Sequence, residues 1–261
     1  MRSDKRLPVP VSLGARNITR NLRTPMLVVA SLLQPVIWLV LFSQIFRQLA
    51  DTEQFRRLGY DSYLEFLLPG MVVFSMLFTA LQSGMATVTD IDTGMMDKLL
   101  ISPIRRTSIL IGRTLADLIT MLMQGAIIVA IAVLLGVRPE SGLVGTLAMI
   151  AFAALFGVVW AGVSIVIALR TRNSELTMVT GILLTLPVLF LTPAFFPEPL
   201  LPNWLQAVAT GNPAAYVIET GQRLMSIGND WGQDLRTLIA LGAAGLVLAP
   251  AAVAAFRTTT R

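Results

Sequence analysis

Six stretches of this chain each run for about 20 predominantly apolar residues, the length that carries a helix across the hydrocarbon core of a bilayer. They are Met26–Phe46, Phe66–Thr89, Leu118–Val137, Leu143–Leu169, Leu176–Phe196 and Leu238–Phe256. In lipid, every backbone N–H and C=O must be satisfied inside the protein, so each run is read as a helix. The predicted fold is an all-α integral membrane protein, one transmembrane domain over residues 1–261 with six transmembrane helices. Composition agrees. Charged residues make up 13% of the chain, against roughly 25% in an average soluble domain. The first run exceeds the roughly 7–15 apolar residues of a signal peptide, and no small-x-small cleavage site follows it.

The cations set the orientation. With the N-terminus in the cytosol, 14 of the 20 Lys and Arg residues fall inside, and Arg47, Arg56, Arg57, Arg138, Arg223 and Arg236 fall outside. The positive-inside rule then places both termini in the cytosol. The two long loops, Arg47–Glu65 and Pro197–Thr237, lie outside. The net charge of +5 comes from these flanking cations, so nucleic acid is not an expected partner.

Several chemistries are excluded. The chain has no Cys and no His, which removes the thiol nucleophile, the commonest metal ligand and the commonest general base. Every Asp and Glu is read at a span end or in a loop, so an intramembrane protease is not expected. An ion-driven secondary transporter is a rival of another class, but such proteins place ionisable groups near the midplane. No G-x-x-x-x-G-K-[S/T] loop occurs, so the chain does not cradle ATP in that way, and no cofactor is expected on it.

Two cytosolic segments stand out. In the first, over residues 11–24, Val11, Ala15, Ile18 and Leu22 share one helical face. Arg16, Arg20 and Arg23 fall roughly 110–170° away at about 100° per residue. Ser12 suits the cap and Pro25 the exit. This reads as an interfacial helix with its arginines toward lipid headgroups or a protein, or as an ordinary basic flank. The second is DIDTGMMDKLLISPIRR, Asp90–Arg106. Pro103 breaks the helix there, and Thr107 or Ser108 caps the next one. Arg113 and Asp117, four apart, are placed for an ion pair. Met95, Leu99 and Leu100 share a face of a short helix over Met95–Ile101, which needs span ends, lipid or a second protein to cover it.

This second segment resembles the permeases of type-2 ABC transporters, in the branch of daunorubicin-resistance-like multidrug exporters. Asp92, Gly94, Asp97, Leu99, Leu100, Ser102, Pro103, Arg106, Gly112 and Arg113 match that family's acidic–x–Gly–x–x–acidic–x–Leu–Leu–x–[Ser/Thr]–Pro–x–x–Arg run and the Gly–[Lys/Arg] after it. Aspartate stands at Asp92 and Asp97 where glutamate is more usual, and Arg105 adds a cation. Gln34-Pro35 with Ile37-Trp38 and Phe42 is similar to the family's first span. Pro202, Asn203, Trp204, Asn212, Pro213, Tyr216 and Glu219 are similar to its outer segment. The family usually has an arginine three residues after that acid; this chain has Gln222 there and Arg223 one place later.

The resemblance implies a cytosolic coupling helix that docks on a separate ABC ATPase. Leu99 and Leu100 would be its buried anchor, with Asp97, Lys98, Arg105 and Arg106 as a charged rim. It implies two ATPase copies that bind ATP and Mg, and a second permease copy or close homologue. It also implies export of an amphipathic drug-like or lipid-like substrate through a bacterial cytoplasmic membrane; a lipid-linked glycan or complex lipid is the alternative cargo. It implies re-entrant extracellular helices between spans five and six.

Polar residues inside the spans carry two readings. Thr79, Gln82, Ser83, Ala86 and Thr89 form a stripe that either lines a route or gate or bonds to a neighbouring helix. Gln34, beside Pro35, and Gln124 carry the same ambiguity. Ala153, Gly157 and Ala161 form a small-residue ridge suited to close packing. Outside, Pro213 fits the first position of a helix capped by Asn212, with Tyr216 and Glu219 on nearly one face, a candidate closure over the exit.

Overall fold

A computed structural model describes residues 25–95 and 106–246, apart from 51, 58, 61, 227, 229–231 and 233. The expected interfacial helix with Arg16, Arg20 and Arg23 lies outside the described residues. So do Asp97, Leu99, Leu100, Pro103 and Arg105 of the expected coupling helix.

All regular structure among the described residues is helical. The main elements are α1 (Pro25–Ile45), α2 (Tyr63–Asp92), α3 (Arg106–Leu134), α4 (Gly142–Thr171), α5 (Ser174–Phe190), α6 (Asn203–Ala209), α7 (Pro213–Ser226) and α8 (residues 234–246). Single turns at Arg47–Ala50 and Glu53–Arg56 join α1 to α2. Among the described residues, three stretches are long and apolar enough to cross a membrane: Tyr63–Asp92, Ile111–Leu134 and Gly142–Thr171.

Helix α2 is the centre of the bundle. From Tyr63 to Leu77 every residue but Leu64 is buried, as expected of a helix that is apolar all round. It is packed by α1, α3, α4, α5 and α7. The outer surfaces of α1, α3 and α5 keep large apolar residues such as Ile37, Leu134 and Leu183. The tightest contact is between α2 and α4. A Cβ on Gly84 would lie 2.1 Å from Ser164 Oγ and 2.7 Å from the Ser164 carbonyl oxygen. The ridge Ala153–Gly157–Ala161 is buried within the chain, where Gly157 admits Met121 and Met76.

One helix start agrees with the sequence reading and one helix end differs. Helix α3 starts at Arg106, within two residues of the cap expected at Thr107 or Ser108, and runs unbroken into the apolar stretch read from Leu118, with Arg113 and Asp117 bonded to α2. Asp117 is therefore well inside a helix, not at its end. Helix α5 stops at Phe190 rather than Phe196. Pro193 has no N–H to continue the ladder, and Thr192 Oγ1 donates to the Leu189 carbonyl at 2.5 Å. The chain then turns through buried Thr192, Pro193 and Ala194.

The segment between α5 and α8, where helices are expected, contains α6 and α7. Helix α7 is not a surface element. Most of it is buried, against α2 and α4, and a Cβ on Gly221 would lie 2.7 Å from Pro69 Cβ.

Candidate functional site

Three constellations emerge from this packing. The first is a polar seam between α2 and α3. Thr79 Oγ1 donates to Gln124 Oε1 at 2.6 Å, and Ser83 Oγ donates to Asp117 Oδ2 at 2.6 Å. Arg113 Nη1 donates to Asp90 Oδ2 at 2.8 Å, and its Nη2 to the Ser83 carbonyl at 2.8 Å. The antiparallel helices put these partners in order, from buried Thr79 out to half-buried Asp90. The Arg113–Asp117 pairing expected from their spacing does not form: Asp117 takes the Ser83 hydroxyl, and Arg113 reaches across to α2. Of the stripe on α2, Thr79 and Ser83 enter the seam. Gln82 and Thr89 are exposed, and Thr89 Oγ1 donates to its own helix at the Met85 carbonyl.

The second constellation is a cavity of about 170 Å³ between α1, α2 and α5. Its polar contributor is Gln34; aromatic side chains Trp38, Phe42, Phe74, Phe78, Phe190 and Phe195 make most of the wall. The rings pack on one another, Trp38 against Phe42 at 4.8 Å between centroids and Phe190 stacked on Phe195 at 5.1 Å. Aromatic pairs favour tilted and offset-stacked arrangements of this kind. Pro35 is buried beside Gln34 in α1. The aromatic wall was not legible beforehand, since its residues come from three separate helices and the turn after α5.

The third constellation is the segment expected to be the outer cap. Asn212 Oδ1 accepts from the Ala214 N–H at 3.0 Å, the expected cap, with Pro213 at the first helical position. Its Nδ2 donates to the carbonyls of Val188 and Leu191 at the end of α5. Tyr216 Oη donates to the Thr210 carbonyl at 2.7 Å. Glu219 is half-buried, and burial, reinforced by Glu198, pushes its carboxyl up to about 7. Gln222 and Arg223, to which the sequence assigned no role, are both buried. Gln222 Nε2 donates to the Pro193 carbonyl at 2.9 Å. Arg223 is ion-paired with Asp234 at the start of α8. Their displacement by one place from the usual arginine was the one signal available.

Near the expected coupling segment, Asp92 is exposed in the last turn of α2. Gly94 ends the turn with φ +64°, a left-handed conformation that glycine adopts without strain. Arg113 is turned inward, into the seam.

Residues 11–225 match the ABC-2 type transporter family. The chain belongs to that family. Its relatives include a putative transport permease of Porphyra purpurea, 32% identical over 211 residues, covering 80% of this chain and 70% of the relative. A daunorubicin resistance ABC transporter permease of Streptomyces coeruleorubidus is 25% identical over 202 residues, covering 77% of this chain and 69% of the relative. A probable doxorubicin resistance ABC transporter permease of Mycobacterium tuberculosis is 24% identical over 204 residues, covering 78% and 71%. This ABC-2 permease is thus a multi-pass membrane protein, the non-catalytic subunit of an ABC transporter whose ATPase is a partner subunit.

Proposed function

We propose that this ABC-2 permease is the membrane half of an ATP-driven exporter that moves an amphipathic, drug-like or lipid-like compound outward. The observation that carries the reading is the aromatic cavity, which sets one amide, Gln34, among six aromatic side chains. A mostly apolar wall with few polar groups suits a ligand whose body is apolar and whose polarity is local. Two ATPase subunits would bind ATP and Mg and dock on residues 92–106, with Leu99 and Leu100 as anchor. A second permease copy or close homologue would complete the pathway. The six spans would place both termini and residues 93–105 in the cytosol of a bacterial cell, and α6 and α7 outside. Neither the exit cap at Asn212, Pro213, Tyr216 and Glu219 nor the permease as a whole would do bond chemistry.

Export is tested in inside-out vesicles bearing the permease and its co-purified ATPase, with daunorubicin as probe. ATP-dependent uptake that falls with Trp38→Ala and Phe42→Ala supports the reading, as does loss of the ATPase with Leu100→Asp. Undiminished uptake in both cavity variants would reject the cavity as the substrate site, and full ATPase retention by Leu100→Asp would reject the docking segment. Orientation is read with single cysteines in this cysteine-free chain. An impermeant reagent on intact cells should label a cysteine at Asn203 and not one at Ser102; the reverse overturns the topology.

A further inference from the structure

The Gly112–Arg113 step follows the family run that carries the proposed docking segment, and the Arg113 side chain is turned into the helix bundle. Its guanidinium lies between α3 and α2 and contacts α2 at two levels. One is the Asp90 carboxylate, at 2.8 Å, and the other is Ser83, through its carbonyl at 2.8 Å and its hydroxyl at 3.4 Å. Ser83 and Asp90 are two helical turns apart. A planar fork that grips both levels fixes the rotation and the axial register of α2 against α3 together, which a point charge cannot do. Ser83 is itself held from the α3 side by Asp117.

The same turns of α2 are held by α4. Ser164 Oγ donates to the Leu81 carbonyl at 3.2 Å. Gly84 brings the backbones so close that a methyl group does not fit. The stretch Leu81–Gly84 is thus pinned by α3 through Arg113 and by α4 through Ser164.

We infer that Arg113 is a positioning residue that locks α2, α3 and α4 into one rigid unit at the end where residues 93–105 join α2 to α3. Displacement of that segment then reaches α4 instead of being absorbed by sliding between α2 and α3. This rests on the proposed docking of the ATPase there, but the lock itself does not. Interfaces with discrete packed arrangements transmit small shifts, whereas loosely tethered ones dissipate them.

The test uses nitroxide labels on the permease–ATPase complex, at exposed Thr89 on α2, Leu115 on α3, Arg170 on α4 and Trp204 on α6. In the parent protein the Thr89–Leu115 and Thr89–Arg170 distances should stay narrow and unchanged between nucleotide-free and ATP–vanadate states. The Arg170–Trp204 distance should shift on trapping. In Arg113→Met the Thr89–Leu115 distribution should broaden without nucleotide. The Arg170–Trp204 shift should vanish while ATP turnover by the bound ATPase persists. Arg113→Lys, which keeps the charge and loses the fork, should behave like Arg113→Met. Asp90→Asn with Arg113→Met should be no worse than Arg113→Met alone.

If both Arg113 variants keep the parental distances in both states, the lock is refuted. Additive effects of Asp90→Asn and Arg113→Met refute the pairing as its basis. If the parent complex shows no vanadate-induced shift and no bound ATPase, the proposed function fails, and the nucleotide-free distances still decide the lock.

Discussion

The Asn212 side-chain amide donates to the Val188 carbonyl at 2.7 Å while its own oxygen caps α7 at Ala214. One side chain thus joins the end of α5 to the start of the buried helix α7. Asn212→Ala should remove the cap, at about 0.5–2 kcal/mol, and strand the α5 carbonyls, adding about 1–3 kcal/mol. Asn212→Asp keeps the acceptor for Ala214 but sets a carboxylate oxygen against the Val188 and Leu191 carbonyls, so it should be no more stable than Asn212→Ala. Thermal unfolding in nanodiscs measures the order. Equal melting temperatures for the three proteins would mean that Asn212 is not the joint.

Glu219 should make stability depend on pH. Burial first, then the neighbouring Glu198, raises its carboxyl to about 7 in the folded protein. Below the ordinary glutamate value of roughly 4.3 both folded and unfolded chains are protonated and no penalty exists. As pH rises toward 7 the unfolded chain ionises while the folded chain resists, so stability is progressively lost and the penalty is complete above 7. Glu219→Gln should therefore match the parent near pH 4 and exceed it at pH 8. After solvent screening of this half-buried group, the gain is on the order of 1–2 kcal/mol. Melting curves of the two proteins that run parallel from pH 4 to 8 would count against the assignment.

Hydropathy located α4 almost to the residue, because Gly142–Thr171 is apolar on every face and bounded by Arg138 and Arg172. The start of α3 was legible from Pro103 and from Thr107 or Ser108, but the partners of Arg113 and Asp117 were not, because a hydropathy window reads the two as a water-facing break. Their partners, Asp90 and Ser83, are more than 20 residues earlier in sequence, and periodicity within α3 carries no trace of them. The end of α5 was misjudged for the opposite reason: Leu191–Phe196 is apolar enough for a span, but Pro193 and the competing hydrogen bonds of Thr192 and Asn212 end the helix. The Asn212-Pro213 cap was legible because both halves of it are adjacent in sequence. The cavity wall was not, because Phe42 and Phe195 meet edge-on at 5.6 Å only after the whole bundle assembles.

Gly84 is where α2 and α4 come closest, and the obstacle to a larger residue is backbone as well as side chain. Gly84→Ala should force the helices apart at a cost of about 1–3 kcal/mol. Ser164→Ala removes the hydroxyl but not the carbonyl, so it should not rescue Gly84→Ala. Unfolding of the single and double variants checks this. A double variant restored to parental stability would show that only the hydroxyl was in the way.

The ion pair between Arg223 and Asp234 joins α7 to α8, and both residues are about nine-tenths buried. A second link lies beside it, the Thr220 and Thr237 hydroxyls at 2.6 Å. Arg223 also donates to the Gly228 carbonyl at 3.2 Å, while its Nε hydrogen has no partner among the described residues. In so dry a site the worth of the pair lies less in attraction than in each charge neutralising the other. Asp234→Asn should leave a buried guanidinium uncompensated and cost on the order of 3–5 kcal/mol. Arg223→Met should cost a similar amount by stranding the carboxylate. The double variant Arg223→Met with Asp234→Leu strands neither charge and should recover most of the loss, because apolar replacement of a buried pair is often neutral. Expression level and melting temperature of the four proteins give the cycle. A double variant as unstable as the two single variants combined would mean that the two residues hold α7 and α8 independently rather than as a pair.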